Sequence, residues 1–396
     1  MKILQFSKKT PVPPKDGEAI AIHQLSEGFV SNNCDLHVYS LLTDKHKKSN
    51  DQNLYLDGVQ YSFTKIDTTI YYPYLLKNIF FSNKPYIVKR FEDNKVEKKL
   101  IKLLKNEQFD IVHLEGCFLG NYIPLIRKHS NAKISLRAHN VESKIWERLA
   151  EQEKGLKKWY LQNVMIPRFK NFESKIAKEV DCIIPISKVD EAYFIKNADK
   201  KPTLTIPVSY KIKSFNDNLP NQFNVGFIGG LDWKPNQEGV RWFLKNVWKE
   251  FVIQRPKSIF NLAGRNFPKK YYNLQDTNLY IYGEIESAEG FTLGNSLMIA
   301  PILSGSGMRV KIIEALALGR TVLSTSIGAE GINYENNKNI FIADTPDEWI
   351  SILVKLSENK QILIDTGRAG QELIKRDHNI NKLGTQLVDF YAKKLE

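Results

Sequence analysis

A chain of 396 residues with 42% apolar content is long enough for two ordinary α/β domains and too apolar to be disordered. Its formal net charge is +13, and the first 200 residues hold 33 Lys/Arg against 24 Asp/Glu, so the excess points to an anionic partner or to plain solubility. No run approaches the ~18 apolar residues of a membrane span, Met1 to Lys9 lacks a signal-peptide core, and Cys34, Cys117 and Cys182, without metal-like spacing, suit a reducing cytosol.

Lys2 to Phe6 reads as the first strand. A Pro-rich loop from Thr10 to Glu18 leads into a helix with Ile22, Leu25 and Phe29 on one face, and Leu36 to Leu42 is the second strand. This opening predicts a doubly wound parallel sheet, whose ligands gather beyond the carboxyl ends of the strands. Gly17, in the first loop, would let backbone approach a diphosphate or an acceptor; a plain turn is the other reading. Tyr71 to Phe81 and Lys84 to Phe91 mix aromatics with cations, which fits either a membrane interface or a core helix with a basic outer face. Asn94 to Glu107 reads as a charged surface helix.

Asp110 to Leu114 and Lys133 to Ala138 are further strands, followed by Glu115-Gly116 and His139-Asn140. His113 reads as a satisfied core histidine or as a ligand-side group. His139 stands at a strand tip before a helix start, where polar groups point outward. Glu151 to Lys178 is strongly basic, breaks at Pro167, and is a second membrane-surface candidate. Asp181 to Ser187 closes the first sheet, and Lys200 to Pro207 reads as a linker with a short strand.

Phe223 to Gly230 opens a second sheet, and Leu231 to Asn236 loops into a helix from Gln237 to Phe251. Ser258 to Gly264 and Leu279 to Gly283 are strands. Leu297 to Leu303 reads as a strand buried on both faces, Ser304 to Gly307 as a tight loop offering an N-cap, and Met308 to Leu318 as a helix stopped by Gly319. Thr321 to Thr325 and Ile340 to Ala343 are strands, 346–357 and 360–374 helices, and Ile380 to Leu395 is amphipathic.

The turn into the helix at Met308 aims N–H groups and the positive helix end at one point, an anion site suited to phosphate. Arg309 and Lys311 in its first turn are unfavourable unless an anion offsets them. Glu314 lies in an almost wholly apolar helix and needs a partner, such as a pair of ligand hydroxyls. An exposed Lys311–Glu314 pair is the competing reading.

This stretch resembles the nucleotide-sugar site of GT-B glycosyltransferases of family 4, the retaining glycosyl transferases group 1, and the resemblance covers nearly the whole chain. Glu314-Ala315 matches the second Glu of the family pattern, which holds the nucleotide ribose, and the first Glu falls at Ser306. Gly230 stands where the family has an Arg. Asn236 occupies the family Lys position, with Lys234 nearby, so Arg309 and Lys311 are inferred to take over the phosphate. The resemblance implies an α/β chain of two Rossmann-like doubly wound domains facing across a cleft. Residues 1–205 would bind acceptor, 206–375 nucleotide sugar, and 376–396 would form a helix crossing back to the first domain. It implies His139, Arg309 and Lys311 as catalytic. Gly17, Gly230, Lys234, Glu284, Ser304, Gly305, Ser306, Gly307, Met308, Arg309, Lys311 and Glu314 would meet the donor, and Glu18, His113 and Glu115 the acceptor.

No Asp-x-Asp pair suggests a metal-bridged diphosphate. The expected reaction is metal-independent and cofactor-free, with a UDP- or GDP-linked sugar as co-substrate and a glycan or lipid-linked acceptor. The expected location is cytoplasmic, with peripheral contact to the anionic inner face of the plasma membrane and no nucleic acid. Alternatives are a non-catalytic sugar-nucleotide-binding subunit on the same fold, a same-fold epimerase, and a basic membrane or nucleic-acid adaptor.

Overall fold

The structure is a computed structural model and describes residues 1–44, 46–151, 153–268, 271, 278–305 and 307–394. The chain forms two compact units, one made of Met1–Ser209 with Ile380–Glu396 and the other of Tyr210–Asn379.

The first unit is built on a parallel sheet of β1 (Lys2–Ser7), β2 (Asp35–Leu42), β3 (Gln60–Lys65), β4 (Ile111–Glu115), β5 (Lys133–Ala138) and β6 (Cys182–Pro185), in the order β3-β2-β1-β4-β5-β6. Central strands buried on both faces need continuous apolar sequence, and β1 buries every residue after Lys2. Ser7 registers with Glu115, and Glu115 with Arg137, so β1, β4 and β5 end together at one edge. Helix α1 (Gly17–Ser31) starts there, capped by Asp16, which accepts from the Ala19 N–H at 3.0 Å.

The remaining helices of this unit are α2 (Tyr72–Phe81), α3 (Tyr86–Lys89), α4 (Asn94–Asn106), α5 (Ile123–His129), α6 (Glu142–Glu151), α7 (Gly155–Tyr160), α8 (Ile166–Glu179) and α9 (Lys188–Asn197). The C-terminal helix Ile380–Lys394 returns to this unit and packs on α1, as the resemblance implied. The crossing is backbone on backbone at Gly28 and Gly384.

The second unit repeats the plan with β7 (Asn224–Ile228), β8 (Ile259–Ala263), β9 (Leu279–Gly283), β10 (Leu297–Ala300), β11 (Thr321–Ser324) and β12 (Phe341–Ile342), in the order β12-β11-β10-β7-β8-β9. Its core gathers Phe227, Phe243, Phe260, Leu297, Leu323 and Trp349. Helices α10 (Lys234–Phe243) and α11 (Lys249–Gln254) are joined by a wide helical turn at Leu244–Trp248.

Several local expectations change. The strand expected to run to Leu303 stops at Ala300, because Pro301 has no N–H to give the ladder. No strand forms in residues 200–207; Thr203 makes only an isolated bridge to Ile183. Pro167 does not break its helix. It falls in the first turn of α8, after a wide turn at Leu161–Met165 has altered the hydrogen-bond ladder its ring would disturb. Edge strand β3, absent from the sequence reading, carries the alternation Tyr61, Phe63 in a short polar setting.

A Cβ built on Gly384 would lie 2.7 Å from the Gly28 carbonyl oxygen. Helix propensity alone favours Gly384→Ala by about 1 kcal/mol, whereas overpacking costs about 1–3 kcal/mol. We therefore expect Gly384→Ala to lower stability by about 1 kcal/mol in urea unfolding, opposite to the propensity effect.

Candidate active site

In the second unit two loops meet at the carboxyl ends of β7 and β10. Gly305 and Gly307 adopt φ of +98° and +85°, a region glycine enters without strain, and they turn the chain from Pro301 into the helix Val310–Ala317. Its N-cap residue is Arg309, and no side chain caps it. The N-cap expected among Ser304 to Gly307 is therefore not there; Ser304 Oγ donates instead to Glu238 Oε2 at 3.0 Å. At the other end Gly319 takes φ +73° and its N–H bonds the Leu316 carbonyl, as the sequence led us to expect.

Arg309 is buried, its guanidinium carbon 5.3 Å from the centre of the Trp233 ring, and Nη1 donates to the Gly307 carbonyl at 2.6 Å. Lys311 reaches across to the other loop. Its Nζ donates to Asn236 Oδ1 at 3.0 Å and sits 4.0 Å from the centre of the Phe227 ring. Asn236 in turn donates to the Gly230 carbonyl at 2.8 Å. A Cβ on Gly229 would come 2.6 Å from Lys311 Nζ and 2.9 Å from Asn236 Nδ2, so a side chain there would push this contact aside.

Burial, with Arg309 close by, lowers the Lys311 ammonium to about 7, although Glu314 pulls it the other way. Glu314 is raised to about 7, again by burial, with Lys311 opposing. No ion pair joins the two among the described residues, and Glu314 is only half-buried, so the exposed surface pair is not what forms. The result is a half-covered cation and a half-covered carboxylate held four residues or fewer from a helix N-terminus.

In the first unit the carboxyl edge of β1, β4 and β5 carries a denser network. Glu115 is fully buried. Its Oε1 accepts from Gln5 Nε2 at 2.6 Å, and its Oε2 lies 2.7 Å from His139 Nε2. His113 Nε2 lies 3.4 Å from Glu115, while His113 Nδ1 bonds the Tyr391 hydroxyl of the C-terminal helix at 2.6 Å. Burial acts to raise Glu115, but His113 and His139 more than offset it and hold the carboxyl well below the ordinary range. Burial lowers His113, with Glu115 opposing.

In front of this lie Lys8 and Lys9, which follow β1 and pair with Glu18 at 3.1 and 2.9 Å. Burial opposes charge on Glu18, yet Lys8 and Lys9 bring it down to about 2. Glu173 of α8 accepts from the Glu142 and Ser143 N–H groups at 2.7 and 3.1 Å and so caps α6, which presents Glu142 beside His139.

Of the residues singled out in the sequence, Gly230, Ser304, Gly305, Gly307, Met308, Arg309, Lys311 and Glu314 come together in the second unit. Lys234, in the first turn of α10, lies 3.8 Å from Glu238, and Glu284 is exposed just past β9. Ser306 lies outside the described residues. In the first unit Gly17, Glu18, Glu115 and His139 share one strand edge. The expectation that His113 and Glu115 touch an acceptor is corrected: both are sealed from solvent and engaged with each other, so they stand behind His139. Sequence reasoning passed over Lys8, Lys9, Glu142 and Trp233. Two lysines directly after an apolar strand were a usable signal; nothing marked Trp233. Among the described residues no group of three or more His, Cys, Asp or Glu is arranged to hold a metal ion.

Two parallel sheets of this order, with a C-terminal helix returning to the first, define a GT-B fold. Solved structures match it over nearly the whole chain. Sucrose-phosphate synthase from Thermosynechococcus elongatus is 16% identical, covers 99% of both chains and has a TM-score of 0.71. Anabaena Alr3699/HepE in complex with UDP is 13% identical, covers 99% of this chain and 100% of its own, at 0.68. Residues 222–359 match the model of glycosyl transferases group 1. A Klebsiella pneumoniae relative, an uncharacterized 44.6 kDa protein in the cps region, is 26% identical over 380 residues, 90% of this chain and 91% of its own.

Burying the Lys311 ammonium costs stability fully below pH 7, and the cost fades as pH rises toward the ordinary lysine value of 10.5. Lys311→Met should therefore stabilise the protein most near pH 6 and least near pH 10, read as the difference in urea midpoint from the parent chain. A pH-independent difference would show that the ammonium is solvated.

Proposed function

We propose that the protein moves a sugar from a UDP- or GDP-linked donor to a hydroxyl of a glycan, lipid-linked or protein-linked acceptor, with retention, in cell-surface polysaccharide or glycoconjugate synthesis. The observation that carries this reading is the Arg309–Lys311 pair at an uncapped helix N-terminus, with Lys311 bonded to a neutral amide rather than to a carboxylate. A half-buried ammonium bonded to a neutral amide is costly in the empty protein and becomes favourable when a diphosphate supplies the charge. The cps-region relative and the UDP complex of Alr3699/HepE support the same class of donor and setting.

Departure of the nucleoside diphosphate takes the C–O bonding pair onto a phosphate oxygen while positive charge grows at the anomeric carbon. Arg309, Lys311 and the helix N-terminus stabilise the phosphate oxygen, and each such contact typically contributes ~10²–10³ in rate. Glu314 holds the ribose hydroxyls. His139 serves the transferred sugar, with its ring set by Glu115. Glu18, on the same strand edge, is assigned to the acceptor.

A thermal-shift series with UDP, GDP and ADP comes first: a nucleotide at 100 times its dissociation constant stabilises by roughly 2.7 kcal/mol. With the best sugar donor, Arg309→Ala and Lys311→Ala should each lose ~10²–10³ in transfer while melting normally. Near-full turnover in both would end the diphosphate assignment. Gly230, in place of the family Arg, favours a second reading, a non-catalytic subunit that binds the nucleotide; binding without transfer or donor hydrolysis would select it. At pH 8 nucleotide binding should also take up close to one proton, because the diphosphate restores the charge on Lys311. Calorimetry in two buffers of different ionisation enthalpy measures that uptake.

A further inference from the structure

Helix α2 is not a core helix. Asn78 is its one buried residue, while Tyr72, Phe80 and Phe81 are 73, 76 and 82% exposed, with Ile70, Tyr71, Tyr74 and Leu76 also exposed. The helix is held by polar ties rather than by an apolar face. Arg168 of α8 donates to the Asn78 and Ile79 carbonyls at 3.0 and 2.7 Å, and the Tyr86 hydroxyl accepts from the Tyr71 N–H at 3.1 Å. Helix α7 leads through Leu161–Met165 into α8, placing Trp159 about 13 Å of helix from Arg168. Trp159 and Leu156 are 57 and 87% exposed. Single exposed apolar residues are ordinary; a cluster of this size in one unit marks a surface that meets something apolar.

The charge around the patch says what that is. Thr68–Phe91 contains Lys77, Lys84, Lys89 and Arg90, Gly155–Phe172 contains Lys157, Lys158, Arg168 and Lys170, and neither segment has an Asp or Glu. Lys84 and Lys157 lean on Glu92 and Glu153, whereas Lys77 and Lys158 form no ion pair among the described residues. Tyrosine, tryptophan and phenylalanine beside lysine stems suit the headgroup level of a bilayer, where rings settle with their polar edges wet. A negatively charged leaflet supplies the missing anions. No helix among the described residues is long and apolar enough to cross a membrane, so the contact is peripheral.

We propose that α2 and α7 form a docking surface for a bilayer carrying anionic headgroups. Vesicle binding is read without any sugar donor, so this stands or falls apart from the donor assignment. The full chain is sedimented with phosphatidylcholine vesicles, with and without phosphatidylglycerol, at rising salt. Binding should require the anionic lipid and weaken with salt. Phe80→Ser with Phe81→Ser, and separately Lys157→Glu with Lys158→Glu, should each weaken it roughly tenfold, with circular dichroism unchanged because these side chains are exposed. Ile253→Ser, an equally exposed site (73%) on the other unit, should leave it unchanged. Failure of the parent chain to bind anionic vesicles overturns the proposal. So does equal binding by both double variants, or a self-associated parent chain that the Phe variant makes monomeric without any vesicle binding, which would make the patch an interface between copies.

Discussion

Lys311 is held in a place that does not repay it. Its ammonium rests on the Phe227 ring, bonded to a side-chain amide, beneath the start of a helix whose dipole repels it. The surrounding backbone is shaped around this arrangement. Gly229 leaves the path free, Gly305 and Gly307 turn the loop, and Asn236 ties the two loops through the Gly230 carbonyl. A fold that only had to be stable would place a carboxylate on that ammonium or a hydrophobe in its stead. The strain is consistent with an anion completing the charge.

The first unit solves the opposite problem. Glu115 is a buried carboxylate faced by Gln5 from β1, His113 from β4 and His139 from the tip of β5. Tyr391 extends this chain of contacts into the C-terminal helix, through His113 and through Ser135 at 2.7 Å. Polar contacts packed together in a dry interior restrain what they touch. The orientation of the His139 ring thus depends on a helix more than two hundred residues later in the chain, which gives that helix's return to α1 a consequence at the strand edge.

Most of the architecture was legible because parallel strands buried on both faces must be written as apolar runs, and helices between them as amphipathic ones. The failures were local and had causes. Pro301 shortened a strand that its hydrophobic neighbours seemed to prolong. Pro167 looked like a break because a wide turn cannot be read from composition. Strand β3 hid in polar sequence at a sheet edge, where only one face needs covering. Within the sites, Arg309, Lys311 and Glu314 were visible because charge in an apolar helix demands an explanation, and His139 because it follows an apolar strand directly.

What the sequence determined by itself was therefore the list of strands and helices and the short-range chemistry around the Gly-rich loops, since both arise from neighbours along the chain. Tertiary structure decided which polar groups consume one another. The resemblance assigned Glu115 to an acceptor and the sequence left His113 between core and ligand side; the sheet register and the C-terminal helix enclose both. A Lys311–Glu314 pair one turn apart was the competing reading, yet Asn236, seventy-five residues earlier, takes the ammonium. Contacts of that range follow from strand order, and strand order is a property of the packed sheet rather than of any segment within it.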